Sequence, residues 1–479
     1  MVMSGESTRG WHRGVAIGLA WTLVGAWLIY LLFQTGSRWD EPEHAHVAWL
    51  ISQGKRPMVD FFQHHQPLLW TLLTPYYRLG FRGAGVLLWG RVLVVCCALI
   101  AVLSLRRLGH WVGIAVWIFL TLLLPDLFVI RPETISIALI LAGLAIWAGP
   151  STSNLLIALA GAAAGAAVYS SPRFLLMGGL FVLLGRQTPM RWVYLCVGGL
   201  GFVALYTVLA DYPLSEVWFN IQFSAHLQTI DGEVWGTSWD LWRQLLMYTC
   251  GPLIVLIAAI RREDRARATL LVAYAVVEFL LCAHLAGMFY YSQALSPFLV
   301  SVAIVAAWIF QRVERHPNAA GMFGLGAATV LLVTGIASLP PVLDRMSPLN
   351  LFAWIRARDH LAADLPTGEA VLVFTQHTPI TVPDISYYGS PLWDGADRLC
   401  TAVRTFKTTS PLPKCDFAME LEKLPYYTDL DIKRALPLLG RKEATEILST
   451  DYHVVAIGNG VNDPIEVRKG NVPGRASHP

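Results

Sequence analysis

Charge is scarce in this chain. Of its 479 residues, 14% are Asp, Glu, Lys or Arg and 55% are hydrophobic, whereas an ordinary soluble domain is about 25% charged. That balance excludes a soluble enzyme, a disordered chain and a nucleic-acid binder, and a net charge of +3 offers no general attraction to a polyanion. A glycine-rich nucleotide motif, a metal-type CxxC pattern and an internal repeat are also missing. Cysteine is sparse. Cys96, Cys97, Cys196, Cys250 and Cys282 fall in apolar stretches and read as small packing residues, which leaves Cys400 and Cys415. Residues 1–13 are short and basic, and the apolar run after them is long enough to be a span, so no cleavable signal is expected.

What the chain does have is a series of long apolar blocks. A helix needs roughly 20 apolar residues to cross a bilayer. Blocks near 14–34, 84–105, 109–126, 133–149, 153–171, 173–185, 191–210, 241–260, 268–290, 293–311 and 320–340 give about eleven expected spans. Pro67–Leu79 is apolar but too short to cross, so it reads as a helix lying at the interface. With the N-terminus inside, twelve arginines fall in inner loops: Arg9, Arg13, Arg106, Arg107, Arg186, Arg191, Arg261, Arg262, Arg265, Arg267, Arg312 and Arg315. This is the expected cytoplasmic excess of positive charge. The outer loops carry fewer, among them Arg131 and Arg173.

Charge then returns. Residues 341–479 hold 32 of the 69 charged residues. The chain therefore divides into a transmembrane domain, 1–340, and a soluble domain, 341–479, which eleven spans place outside the membrane. In that domain 369–374 and 453–457 read as buried strands, and weakly helical stretches make a small mixed α/β fold. Cys400 and Cys415 would close a disulfide loop there, as an oxidising periplasm allows. Two free thiols are the alternative. The fold class is thus a polytopic α-helical membrane protein with a small extracytoplasmic C-terminal domain, and the location a bacterial inner membrane.

The first outer loop, about 35–66, concentrates the chemistry. Asp40-Glu41-Pro42 starts a short helix, with a carboxylate at the N-cap and proline in the first turn, and Gly54 stops it. Val47, Leu50 and Ile51 give that helix an apolar stripe, so it is expected on the outer membrane surface. Its acidic end gathers Asp40, Glu41, Glu43, His44 and His46, and Asp60, His64 and His65 close the loop. A solvated loop with a capping Asp fits the same residues. A metal site built from the histidines is also open, although their spacing matches no strong signature. Further charges stand at outer span ends: Asp126, then Arg131-Pro132-Glu133, then Arg173, and a loop at 211–240 with several acids and aromatics. Ionisable groups at membrane depth are costly and so mark function by default. A lone arginine there also serves as a snorkelling anchor. Outside the membrane an enzyme lacks nucleotide-activated substrates and needs a lipid-carried one. Arginine holds phosphate oxygens as a bidentate partner, and a carboxylate takes the proton of an attacking hydroxyl.

The stretch Trp39–Trp70 resembles the GT-C superfamily of polyprenyl-phosphate-sugar-dependent glycosyltransferases, in the branch of protein O-mannosyltransferases and aminoarabinose transferases. The matching residues are Asp40-Glu41, Gly54-Lys55-Arg56-Pro57, Asp60-Phe61-Phe62 and His65-Gln66-Pro67-Leu68, with Arg131-Pro132-Glu133 further on. His65-Gln66-Pro67 stands where that branch has a double proline. The resemblance implies a metal-optional inverting transfer from a sugar on a polyprenyl phosphate to a glycan, lipid or protein acceptor, with no cofactor required and a divalent metal possible. It implies Asp40 as general base, with Glu41 supporting it or orienting the acceptor. Arg131 and Arg173 would bind phosphate, and Glu43, Asp60, His64, His65 and Glu133 would line the substrate pocket. Two alternatives remain at this point: a flippase or transporter for a lipid-linked sugar, and a ligase or polymerase using diphosphate-lipid donors. Membrane lipids are the surrounding partners, and no nucleic acid is expected.

Overall fold

The computed structural model describes residues 6–34, 40–57, 65–109, 111–123, 128–149, 153–185, 188–210, 262–285 and 295–313. It also describes the isolated positions 212, 218, 246, 249–250, 253–254, 257, 260, 351–352, 355–356 and 359, and four short strands in the tail. Among these residues eleven α-helices occur: α1 Glu6–Phe33, α2 Asp40–Ser52, α3 Leu68–Arg78, α4 Val86–Leu108, α5 Trp111–Leu123, α6 Pro132–Trp147, α7 Asn154–Ser170, α8 Gly178–Leu184, α9 Pro189–Leu209, α10 Arg262–Leu285 and α11 Ser296–Val313. The expected spans from 14–34 to 191–210, and those at 268–290 and 293–311, each coincide with one of these helices. The span at 173–185 is split, with a 3₁₀ segment Pro172–Met177 preceding α8. The expected span at 320–340 and most of 241–260 lie outside the described residues.

Two helical stretches, Gly83–Leu108 and Pro189–Leu209, are each long and apolar enough to cross a membrane. On α9 the apolar side chains point outward: Leu200 is 72% and Val208 77% exposed. In water such a face would be a large apolar patch; hydrocarbon is its natural surround.

The helices pack as neighbours α1–α4, α4–α6, α6–α7, α7–α9, α5–α11 and α10–α11. Buried aromatics fill the joints. Phe128 lies between Trp27 of α1 (5.9 Å between ring centroids) and Trp117 of α5 (5.8 Å). Helix α7 meets α9 through small residues, and a Cβ added at Gly161 would sit 1.9 Å from the Leu195 carbonyl oxygen. The backbones approach that closely because position 161 carries no side chain.

Three arginines of the expected inner loops make contacts near the ends of their helices. Arg312 of α11 pairs with Asp264 of α10 (3.4 Å) and stacks on Trp308, Arg267 donates to the Leu183 carbonyl (3.1 Å), and Arg106 lies over Trp111. Helix α3 is too short to span, as expected. It packs on α2, and Thr71 hydrogen-bonds Tyr206 of α9 (2.5 Å). Burial raises the phenol pKa of both Tyr76 and Tyr77, and Asp359 adds to each. The Asp359 carboxylate accepts from the Ala84 backbone N–H at 2.6 Å, joining the start of the tail to the α3–α4 turn.

In the tail β1 Leu372–Val373, β2 Tyr426–Asp429, β3 Tyr452–Ala456 and β4 Glu466–Gly470 form one sheet in the order β1-β2-β4-β3. β1 and β2 are parallel, and the other pairs are antiparallel. β1 lies within the expected strand 369–374, and β3 overlaps the expected strand 453–457. Cys400 and Cys415 lie outside the described residues.

Candidate functional site

Helix α2 begins at Asp40 with Pro42 in its first turn and ends before Gly54, whose φ of +81° is the left-handed stop that the sequence pattern implies. Its setting differs from the expected surface helix. Glu41, His44, Ala45, His46, Val47, Ala48 and Leu50 are all buried. The helix is enclosed because α3 and α4 pack against it, which a stripe read from one segment does not reveal.

Glu41 turns fully inward. One carboxylate oxygen receives Arg91 Nη2 of α4 at 2.5 Å, and the other accepts the Ile130 backbone N–H at 2.8 Å. Both side chains of the ion pair are completely buried. Nearby, Gln34 at the end of α1 donates to the Phe128 carbonyl (2.8 Å), and Thr134 donates to the Val129 carbonyl (2.6 Å). These bonds fix the segment 128–131 in space. Gly90 lets α4 come up against it, since a Cβ there would lie 2.5 Å from an Ile130 methyl.

The next residue is Arg131, in extended conformation at the N-cap of α6, followed by Pro132 at the first helical position. Arg131 Nε lies 3.3 Å from one oxygen of Glu133, and Arg173 Nη1, from the 3₁₀ segment after α7, lies 3.8 Å from the other. Ser170 donates to the Pro132 carbonyl (3.2 Å) and holds the two strands of chain together. Two guanidinium groups thus share one carboxylate. Arg131 and Glu133 are buried, whereas the Arg173 side chain remains 28% exposed. That arrangement suits a phosphate arriving from outside.

The structure brings together Arg131, Arg173 and Glu133, and separately Glu41, Arg91 and Ile130. The two groups meet at one peptide unit, Ile130–Arg131. Glu133, expected to line the substrate pocket, is buried between the arginines and orders them. Glu41 has both oxygens engaged, which fits a supporting part better than contact with an acceptor. His65 is half-buried with its ring 5.0 Å from that of His44, and Glu43 is partly exposed on α2. Asp40 opens α2, but its side chain, together with Asp60, His64 and Asp126, lies outside the described residues. Among the described residues no three acidic, His or Cys side chains are grouped to hold a metal ion.

Two buried ionisable residues escape the loop motif. Arg91 sits within the apolar span 84–105. Glu278 sits within 268–290, where it accepts from Ser301 of α11. A charge inside an apolar span is the signal that would have found both.

No protein-family model and no curated protein sequence matches the chain. Among solved structures it is similar to ArnT from Cupriavidus metallidurans. In the apo state the match has a TM-score of 0.53 at 15% identity, covering 97% of this chain and 99% of that one. Against the same protein bound to undecaprenyl phosphate the TM-score is 0.54 at 14% identity, covering 94% and 97%. At such identity the likeness is one of fold, and it extends over nearly the whole of both chains. The chain therefore shares its fold with ArnT, in keeping with the first-loop resemblance.

Proposed function

We propose that this protein is a membrane glycosyltransferase that takes a sugar from a polyprenyl-phosphate donor and passes it to an extracytoplasmic glycan, lipid or protein acceptor. The observation that carries the reading is the Ile130–Arg131 junction. One residue holds the first-loop acid Glu41, and the next belongs to a cluster in which two arginines face one carboxylate. The fold shared with ArnT, crystallised with undecaprenyl phosphate, supports the same donor class.

In this reading the N-terminus and the expected inner loops face the cytoplasm. Loops 35–66 and 211–240 and the 341–479 domain, with its Cys400–Cys415 disulfide, face the periplasm. Asp40 accepts the proton of the acceptor hydroxyl or amine while that atom attacks the anomeric carbon. The bond from the anomeric carbon to the phosphate oxygen breaks on the opposite face, giving inversion. Arg131 and Arg173 stabilise the phosphate as it leaves with the electron pair. The Glu41–Arg91 pair anchors the first turn of α2, on which Asp40 stands. Glu43, Asp60, His64 and His65 line the sugar side. A divalent metal is not required by these steps.

The test is sugar transfer by purified protein in lipid, supplied with polyprenyl monophosphate and polyprenyl diphosphate sugars in parallel. Transfer from the monophosphate donor, lost in Asp40→Asn with thermal stability unchanged, is the expected result. Full activity in Asp40→Asn removes it as base. Transfer only from the diphosphate donor assigns the chain to the ligase class, and lipid movement across liposomes without transfer assigns it to the transporters.

A further inference from the structure

Arg173 stands on the 3₁₀ segment Pro172–Met177. Hydrogen-bond geometry in such a segment is poor, so a run of this length needs support from outside. The support comes from α10 and α11. The Tyr274 hydroxyl of α10 donates to the Leu176 carbonyl, and its ring lies against Gly179, where a side chain would collide with it. Ser301 of α11 has its hydroxyl oxygen 3.5 Å from the Met177 sulfur and in hydrogen-bond contact with Glu278 of α10. Met177, Glu278 and Ser301 are all buried. Three stretches of chain, distant in sequence, therefore meet at one carboxyl group, at the far end of the segment that carries Arg173.

A serine hydroxyl has one hydrogen to give, while a thioether and an ionised carboxylate only accept. With Ser301 donating to Glu278, the sulfur receives nothing and a full charge stays at bilayer depth, where it is costly. Among the described residues no lysine or arginine pairs with Glu278, and its Oε1 is buried without a hydrogen-bond partner. Tyr274 cannot serve that oxygen, since its one hydrogen goes to Leu176. A proton on Glu278 suits every group better. The acid O–H donates to Ser301, Ser301 donates to Met177, and the oxygen left over belongs to a neutral group. The titratable groups beside it, Tyr274 and Cys282 of α10, add no charge of their own near pH 7. We propose that Glu278 is a positioning residue for the lipid phosphate: as a neutral acid it ties α10 and α11 to the segment that carries Arg173. The inference rests on the reading of Arg173 as a phosphate ligand. Glu133 sets the guanidinium from the α6 side, and Glu278 sets the backbone that bears it.

The test uses the full-length protein in lipid nanodiscs, with undecaprenyl phosphate as the probe. Glu278→Leu keeps the span apolar but breaks the tie, and should weaken binding about tenfold, as should Ser301→Ala. Glu278→Gln is neutral and can still donate to Ser301, so it should bind as the wild type does. In an Arg173→Ala background Glu278→Leu should cause no further loss, because its effect passes through that arginine. A residue that only stabilises the bundle would weaken both backgrounds alike. Infrared difference spectra of wild type against Glu278→Gln should show the C=O band of a protonated carboxylic acid at a pH of about 8. Four results overturn the proposal: a carboxylate band in place of the acid band, unchanged binding in Glu278→Leu, a loss in Glu278→Gln as large as in Glu278→Leu, or an undiminished loss in the Arg173→Ala background. Failure of the functional reading shows differently. The wild type then binds no undecaprenyl phosphate and transfers no sugar, with the acid band still present, and the positioning role falls with it.

Discussion

The bundle is held together in two different ways on its two sides. Where α7 meets α9, glycine and alanine bring backbones into direct contact. Where α2, α4 and the 128–131 segment meet, the joint is polar: a buried Glu41–Arg91 pair, a backbone N–H on the same carboxylate, and Gln34 on a neighbouring carbonyl. Apolar or small-residue packing would hold that joint at least as well, because a buried ion pair is often no more stable than the hydrophobic residues that could replace it. The contrast teaches that the α7–α9 side is built for close packing, while the α2–α4 side trades stability for the placement of charge next to Arg131.

The largest expected effect comes from breaking the polar joint. Arg91→Met removes the guanidinium that faces the buried Glu41 carboxylate and should cost about 3–5 kcal/mol, measured by thermal unfolding in detergent. The double variant Glu41→Gln/Arg91→Met removes both charges and keeps an acceptor for the Ile130 N–H. It should regain most of that stability but not sugar transfer; recovery of both would reduce the pair to a structural device. On the other side, Gly161→Val forces α7 from α9 and should lose about 1–3 kcal/mol, with affinity for undecaprenyl phosphate unchanged per folded molecule. A parallel loss of lipid affinity would erase the contrast between the sides. The smallest effect is expected for Thr134→Val, which removes one hydrogen bond to the 128–131 segment and should cost about 1 kcal/mol by the same unfolding measurement.

Much of the fold is legible in the sequence, because a membrane span is a local property of composition. The ends of α2 are also local, written in Asp40-Glu41-Pro42 and in Gly54. The burial of α2 is not, since it depends on α3 and α4 arriving from elsewhere in the chain. The same division runs through the site. Arg131 and Glu133 are two residues apart and visible as a unit, but the approach of Arg173 to Glu133 follows from α6 packing on α7. Arg91 is hidden for another reason: it stands within an apolar span, and its partner is 50 residues away on a different helix. The tail strands at 426–429 and 466–470 lack the apolar run that marks 369–374 and 453–457, and pairing across the sheet defines them instead.

The central claim is that the Arg131–Glu133–Arg173 cluster receives a lipid phosphate. A cryo-EM structure of the full chain in nanodiscs with undecaprenyl phosphate tests it most directly. The account requires the phosphate within hydrogen-bonding distance of Arg173 or Arg131 and on the α2 side of the bundle. A phosphate seated at Arg106, Arg267 or Arg312 would contradict it.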